Sequence, residues 1–181
     1  MIHVAAVAGD VVARDAPEID SLISCAVAGR WPYGASFLVG SVCHFTVLER
    51  APGAAEYVRD NHLTVSVNPE TGYGALMWCV SDRVAAERGG VFGRVWLSDN
   101  PIPPDADPEV VADPGDGMLF DPGSTLPLSS VRAALAEFCR VRSGERPQGI
   151  AWVPGDLRGR RSDRRHERPV TAAGDYSSPW V

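Results

Sequence analysis

Residues 119–152 read LFDPGSTLPLSSVRAALAEFCRVRSGERPQGIAW, and this stretch decides the fold. Apolar residues recur in it at helical spacing, namely Leu128, Val131, Leu135 and Phe138, with Ala134 and Cys139 widening the same face. Pro127 suits the first turn of a helix, and Gly144 lies where a left-handed residue is expected after the last turn. The stretch therefore predicts a loop, a helix, a turn and a short strand at 149–153, with the apolar face of the helix against a sheet.

The remaining segments add strands to this sheet and a second helix. Residues 17–28 predict the helix, with Asp15 as its N-cap, and residues 9–16 before it read as a connector. Apolar and β-branched runs predict strands at 2–8, 36–49 (kinked at Gly40), 63–68, 73–80 and 91–97. The predicted fold class is α+β, an antiparallel twisted sheet of about five to six strands with two helices packed on it.

The clearest hairpin lies at 63–80. Leu63, Val65 and Val67 alternate with polar residues, and Asn68-Pro-Glu-Thr-Gly72 follows as a turn. A type I turn closed by a left-handed glycine joins two antiparallel strands. The return strand, 73–80, is apolar on both faces, which is typical of a strand in the middle of a sheet.

The charge distribution predicts one folded domain and a tail. The 181 residues carry a formal net charge of −6, with no Lys, and the acids concentrate in the first 154 residues. We expect residues 1–154 to form a single α+β domain and residues 155–181 an Arg-rich C-terminal tail outside the core. An acidic body disfavours binding to a phosphate backbone and favours a basic protein partner.

The cysteines and the N-terminus indicate a cytoplasmic protein. Cys25, Cys43, Cys79 and Cys139 each lie within an apolar run and form no C-x-x-C pair, so we expect them to be reduced and buried. The apolar N-terminal segment lacks the positive leader of a signal peptide. No run approaches the ~20 apolar residues that span a bilayer, so no membrane contact is expected.

A long acidic loop precedes the central helix. It contains no basic residue, and its acids are Asp99, Asp105, Asp107, Glu109, Asp113, Asp116 and Asp121. Its five prolines exclude regular structure over most of residues 98–121 and stiffen the chain. One interpretation is a merely solvated loop. The other is a negative surface that is offered to a basic partner.

The titratable residues predict no cofactor or metal site. His3, His44, His62 and His166 have no metal-ligand spacing, and no nucleophile elbow or phosphate loop occurs. Two alternatives stay open. One is a small hydrolase-like enzyme whose site is assembled from several strands around His44 and His62. The other is a nucleic-acid-binding module that uses the Arg-rich tail.

Several segments together resemble a known family. They are Leu63-Thr-Val-Ser-Val-Asn-Pro-Glu-Thr-Gly-Tyr-Gly-Ala-Leu76, Val95-Trp96, Phe120-Asp-Pro-Gly-Ser124, Val131-Arg-Ala-Ala-Leu-Ala-Glu-Phe138, Gly144-Glu-Arg-Pro147 and Trp152. This set resembles the first-numbered immunity family of bacterial polymorphic toxin systems, whose members are usually encoded beside deaminase-type toxins. The resemblance covers about residues 61–153. One departure is Arg140-Val-Arg-Ser143, since the family pattern passes more directly from the helix to the turn.

The resemblance implies binding without catalysis. We expect an immunity protein, not an enzyme, that neutralises a nucleic-acid-targeting toxin of the deaminase type in the producing cell. Direct nucleic-acid binding is not expected. The candidate toxin-binding residues combine the acids of the loop with two residues elsewhere: Asp99, Asp105, Asp107, Glu109, Asp113, Asp116, Arg146 and Trp96.

Overall fold

The computed structural model describes residues 1–6, 9–30, 42–47, 61–80 and 95–163. Its two α-helices are α1 (Ala16–Val27) and α2 (Leu128–Val141), and a 3₁₀ turn covers Pro122–Ser124. Its strands are β1 (Ile2–Ala6), β2 (Gly9–Ala13), β3 (Val42–Val47), β4 (Asn61–Asn68), β5 (Tyr73–Val80), β6 (Val95–Asp99), β7 (Val111–Asp113), β8 (Met118–Leu119), β9 (Thr125–Pro127) and β10 (Ala151–Pro154).

Eight of the described strands form one antiparallel sheet. Its order is β10-β6-β5-β4-β3-β1-β2, and β9 also pairs with β5. The α+β class is confirmed, but the sheet is larger than the five to six strands expected. Residues 9–16 are not a simple connector, because Gly9–Ala13 form β2, which pairs along the whole of β1. The sequence prediction missed β2 because its pairing partner, not its own pattern, makes it a strand.

Strand β5 lies in the interior of the sheet. It pairs with β4 along one edge, and its other edge is shared by β6 and β9. β6 pairs with Met77 to Cys79, and β9 pairs with Tyr73 to Ala75. Between them, the Leu76 N–H donates to Ser98 Oγ at 3.0 Å, and the Ser98 hydroxyl donates to the Ser124 carbonyl. One buried hydroxyl of β6 thus bonds to β5 and to the residue that precedes β9, at the point where β6 and β9 diverge.

The two helices cover one face of the sheet. On α2, the predicted stripe is buried at Val131, Ala134, Leu135, Phe138 and Cys139. On α1, Ile19, Leu22, Ile23 and Ala26 are buried, and the Asp15 carboxylate caps the first turn by accepting from the Glu18 N–H at 2.9 Å. Both helices pack on the strand residues that face them, which include Leu63, Val65, Leu76 and Trp78. Trp96 and Trp152 are partly buried against the same core.

Two local turn predictions have different outcomes. Gly72 closes the β4–β5 hairpin with φ +77° and its N–H donates to the Asn68 carbonyl, as predicted. The prediction for the end of α2 is wrong, because the left-handed residue that follows Val141 is Arg142 (φ 54°). Gly144 is left-handed too, but it belongs to the next turn. A longer link between helix and turn, at Arg140-Val-Arg-Ser143, separates the two positions.

Several predictions fall partly or wholly outside the described residues. The strand expected at 36–49 is described as Val42–Val47, and the proposed kink at Gly40 lies outside. The strand expected at 91–97 is described from Val95 onward. His166 and the Arg residues after 163 also lie outside. Within the described part of the chain, no helix is long and apolar enough to cross a bilayer.

The four thiols should differ sharply in reactivity. Cys43, Cys79 and Cys139 are buried, and burial raises the pKa of each to about 12, whereas Cys25 is only half-buried, contrary to prediction. At pH 8 a thiol with that pKa is ionised to about one part in ten thousand, and the thiolate is the reactive form. A disulfide reagent should therefore react quickly with one thiol of the folded protein, that of Cys25. As the control, all four cysteines of the denatured chain should react. Fast reaction of two or more cysteines in the folded protein would contradict the prediction.

Candidate functional site

The acidic loop leaves the sheet at Asn100, which is buried and forms three hydrogen bonds. Its backbone N–H donates to the Gly123 carbonyl at 2.7 Å, and its side-chain Nδ2 donates to the Thr125 carbonyl at 2.8 Å. Its Oδ1 accepts from the Ile102 N–H at 3.1 Å. This asparagine therefore holds the first residues of the loop against the segment that leads into α2.

The middle of the loop is attached to the β4–β5 turn. The Pro108 carbonyl accepts two hydrogen bonds from that turn, from Asn68 Nδ2 at 3.0 Å and from Thr71 Oγ1 at 3.1 Å. Pro108 itself is buried. The hairpin turn predicted from the sequence thus has a second role that the sequence did not indicate, which is to hold the acidic loop.

Apolar residues attach the end of the loop to the sheet face opposite the helices. The short β7–β8 hairpin buries Val110, Ala112 and Phe120 in a second core. In this core they join Met77, Cys79, Val95, Leu97 and Val153 of the sheet. The loop is irregular over most of its length, as predicted. It is nonetheless a packed layer of the structure, and its β7–β8 hairpin begins after Pro108 and has Pro114 in its turn.

A short C-terminal segment, residues 155–163, closes over the loop; we call it the C-terminal clamp. The Arg161 side chain is 2% exposed and donates to Asp99 Oδ1 at 2.7 Å, to both carboxylate oxygens of Asp163, and to the Gly123 carbonyl. Burial alone would lower the pKa of Arg161, but the hydrogen bonds that it donates to Asp163 and Asp99 outweigh this effect and raise the pKa above its ordinary value.

Part of the segment predicted as a tail therefore folds against the body. Gly155 bridges to Arg161, and Gly159 approaches Ala112 and Phe120 so closely that a Cβ would overlap Ala112. The domain boundary after residue 154 and the tail beyond residue 163 stay predictions. The structure weakens the alternative of nucleic-acid binding by the Arg-rich tail. Two of its described cations already have partners in the protein, because Arg161 is buried beside Asp99 and Arg158 lies 3.6 Å from Asp116.

The structure divides the six predicted loop acids into two groups. Asp99, Asp113 and Asp116 serve the fold: Asp99 pairs with Arg161, Asp116 lies beside Arg158, and the Asp113 carboxylate accepts from the Gly115 N–H at 2.8 Å. The other three, Asp105, Asp107 and Glu109, are exposed on the outer part of the loop. We call these three residues the outer acids.

The backbone at the outer acids has a defined shape. The Asp107 carboxylate accepts from the Glu109 N–H at 2.9 Å, and Glu109 is left-handed with φ 52°, an uncommon conformation for a residue with a side chain. The buried neighbours of Glu109, Pro108 and Val110, are fixed on either side of it. The backbone of the local turn at 107–110 is therefore held by its attachments.

Arg146 and Trp96 lie together, but on the other face of the sheet. The Arg146 guanidinium stacks 3.9 Å from the centre of the Trp96 ring and 5.6 Å from that of Trp78. Trp96 and Trp78 are cross-strand partners on the helix side, whereas their neighbours Leu97 and Met77 face the acidic loop. The acidic loop and the Arg146–Trp96 pair thus lie on opposite faces of the sheet.

The turn that carries Arg146 is fixed by side chains of the core. Trp78 Nε1 donates to the Gly144 carbonyl at 2.9 Å, and Trp152 Nε1 donates to the Pro147 carbonyl at 2.8 Å. Partial burial lowers the pKa of Arg146. Among the described residues, its buried Nη1 has no hydrogen-bond partner. A rigid, stacked guanidinium of this kind can pair with a carboxylate of a partner, or it can complete the packing of the turn.

The histidines that favoured an enzyme lie on the loop side of the sheet. His44 Nδ1 and Thr64 Oγ1 are hydrogen-bonded at 2.9 Å, and the His44 and His62 rings meet edge to face with centroids 5.5 Å apart. Cys43 points to the helix side, because neighbours on a strand alternate. Within the described ranges, no three His, Cys, Asp or Glu residues are placed to hold a metal ion.

Two residues that organise the site were not predicted from the sequence. Asn100 stands before Pro101, which signals a turn, but two of its three bonds depend on the distant Gly123 and Thr125. Arg161 is one of several Arg in a polar run, and no local signal separates it from its neighbours. Its partner Asp99 is 62 residues away in the chain.

Comparison with protein families agrees with the resemblance found in the sequence. Residues 8–154 match the model of a family described as Immunity protein Imm1. The match covers most of the chain and includes the hairpin, the acidic loop, α2 and the turn that carries Arg146. No curated protein and no solved structure matches the chain.

Proposed function

Because this chain belongs to the Imm1 family of immunity proteins, we propose that it binds and neutralises a nucleic-acid-targeting toxin of the deaminase type in the cytoplasm of the producing cell. In this proposal the chain acts by binding alone and has no catalytic role. The observation that carries the proposed contact surface is the exposure of the outer acids, Asp105, Asp107 and Glu109, on a loop that is attached to the body at several points.

The charge of the loop suits such a partner. A protein that acts on DNA or RNA needs a basic surface for the phosphate backbone. Carboxylates on a complementary surface accelerate the encounter and select the partner. The attachments at Asn100, Pro108 and Arg161 also reduce the conformational entropy that the loop loses on binding, so more of the interaction energy appears as affinity.

Fewer acids are proposed to touch the toxin than the sequence suggested. Asp99 is 17% exposed and already bound to Arg161, so its place in the proposal is to hold the loop. Arg146 and Trp96 would contact the same toxin only if it reached around the edge of the sheet. An Arg146→Met variant tests that second surface, since it removes the charge and keeps an apolar side chain over Trp96.

Reversing the outer acids should abolish most of the toxin affinity. We expect the triple variant Asp105→Lys, Asp107→Lys, Glu109→Lys to bind the toxin domain encoded by the neighbouring gene about 100-fold more weakly at low salt. The loss should shrink as salt is added, because exposed charges are screened. Calorimetric titration against a catalytically inactive toxin domain measures both quantities, and co-expression with the active toxin should show loss of protection.

A matched variant separates local contact from net charge. Reversing Asp10, Glu18 and Asp20, which are exposed on β2 and α1, changes the net charge by the same amount. This control should keep its affinity within a few-fold. Equal losses in both triple variants, or no loss in the first, would exclude the outer acids as the contact surface.

The deaminase class of the toxin has its own test. A nucleic-acid deaminase converts cytosine to uracil or adenine to hypoxanthine in a base that it takes out of the stack. The purified toxin domain should produce one of these conversions on DNA or RNA. Addition of this protein at an equimolar ratio should stop the reaction. A toxin domain that cleaves the strand instead would refute the deaminase assignment and leave the immunity function in place.

A further inference from the structure

Ile102 is the most exposed large apolar side chain in the described part of the chain. The residue is 83% exposed, compared with 66% for Leu157 and 53% for Val141. It lies on the acidic loop, three residues before Asp105. At this exposure the isoleucine contributes almost nothing to the core, because stabilisation by an apolar side chain scales with the area removed from water.

The backbone under Ile102 is unusually restricted. Its N–H is bound by the side chain of Asn100, which is itself 8% exposed and bonded to the Gly123 and Thr125 carbonyls. Prolines precede it at 101 and follow it at 103 and 104, and each fixes its own φ. Pro103 also keeps Ile102 out of the helical region. Few backbone conformations remain in which the side chain could fold back onto the protein.

A rigid apolar tip beside exposed carboxylates has the composition of an interface. Protein interfaces place apolar anchors at the centre, where they fill pockets of the partner, and polar or charged groups at the rim. An anchor whose backbone is already ordered loses less entropy on binding. Ile102 has the exposure of such an anchor, and the outer acids, which begin three residues after it in the chain, have the charge of such a rim.

We propose that Ile102 is the apolar anchor of the toxin contact and inserts into an apolar pocket of the toxin domain that is bordered by basic side chains. This inference rests on the proposed function. The partner is identified by complementarity: the apolar tip requires a dry pocket, and the adjacent Asp105, Asp107 and Glu109 require cations next to that pocket.

Binding measurements with single variants test the anchor. The probe is the catalytically inactive toxin domain encoded by the neighbouring gene. Ile102→Ala should weaken binding about 30-fold, mainly through faster dissociation, and Ile102→Asp should weaken it further. Leu157→Ala is the matched control, because it truncates another exposed apolar side chain and should change the affinity less than about twofold.

Salt and stability measurements separate this role from the others. Ile102→Ala should weaken binding by the same factor at about 0.05 and 0.5 M salt, because an apolar contact is not screened. The weakening caused by reversing the outer acids should instead shrink as salt is added. The thermal midpoint should not change. An affinity within twofold of the parent, or a clear fall in the midpoint, would overturn the anchor. Failure of the parent protein to bind would instead overturn the proposed function.

Discussion

Replacement of Arg161 by methionine is expected to lower the free energy of unfolding by about 3 kcal/mol, because removal of one partner from a buried ion pair leaves the other charges unpaired. The guanidinium is 2% exposed and its partners, Asp99 and Asp163, are 17% and 20% exposed. The Gly123 carbonyl would lose its charged donor as well. Partial solvation of the two carboxylates places the estimate at the lower end of the range for such pairs.

Arg158→Met is the matched control for this change. Its guanidinium is 59% exposed and lies 3.6 Å from Asp116, so its loss should change the stability by less than about 0.5 kcal/mol. Denaturation by urea, followed by tryptophan fluorescence, compares the two variants. Equal stabilities would show that the Arg161 network does not hold the C-terminal clamp in place.

The same variant should also affect the acidic loop. Arg161 joins the clamp to Asp99 and Gly123, and Gly123 in turn accepts the Asn100 N–H. Loss of the guanidinium should therefore loosen the base of the loop. We expect faster amide exchange at 100–110 in Arg161→Met, whereas Arg158→Met should exchange like the parent. Arg161→Lys should fall between them, because lysine keeps the charge but cannot bridge three acceptors in one plane.

Replacement of Gly144 by alanine is the second large effect, about 3 kcal/mol of destabilisation. Gly144 has φ +73°, which adds about 1 kcal/mol for any residue with a Cβ. The new Cβ would also overlap the side-chain amide of Asn61. Relief of that overlap has to displace either the Asn61 side chain or the turn, whose Gly144 carbonyl accepts from Trp78 Nε1, and overpacking of this kind adds about 1–3 kcal/mol.

Gly117→Ala isolates the conformational part of this effect. Gly117 has a similar φ of +64°, but a Cβ there would meet no atom within 4 Å. Its loss of stability should be about 1 kcal/mol. In the Gly144→Ala background, Asn61→Ala should restore part of the stability by removing the overlap. If Gly144→Ala and Gly117→Ala lost the same free energy of unfolding, the overlap with Asn61 would make no contribution to the effect.

Most of the secondary structure could be predicted because it depends on neighbours in the sequence. The stripe of α2, the Asp15 cap and the Gly72 turn each arise within a few residues, and each is found in the structure. Strand β2 was missed because its pattern is weak and its pairing with β1 stabilises it. The end of α2 was misplaced because two left-handed residues, Arg142 and Gly144, follow it closely.

The candidate site was predictable in composition but not in arrangement. The run of acids and prolines identified residues 98–121 as a distinct segment, and the Gly-Glu-Arg-Pro turn identified the family. Nothing local distinguished Asp99, which pairs with Arg161, from Asp105, which is exposed. Nor could the sequence place Arg146 and Trp96 on the opposite side of the sheet from the acids, because side-chain direction follows from register.

The sequence by itself determined the α+β class, the helix that covers the sheet, the hairpin, the acidic loop and the membership in an immunity family. The first four depend on periodicity, turn chemistry and composition, which are properties of contiguous residues, and the family is recognised by sequence similarity over residues 8–154. Only the tertiary structure decided which acids are outer acids, that the C-terminal clamp closes over the loop, and that Ile102 projects into solvent. Those features depend on strand order and on pairs such as Asp99 and Arg161, which lie 62 residues apart and meet only when the sheet has formed.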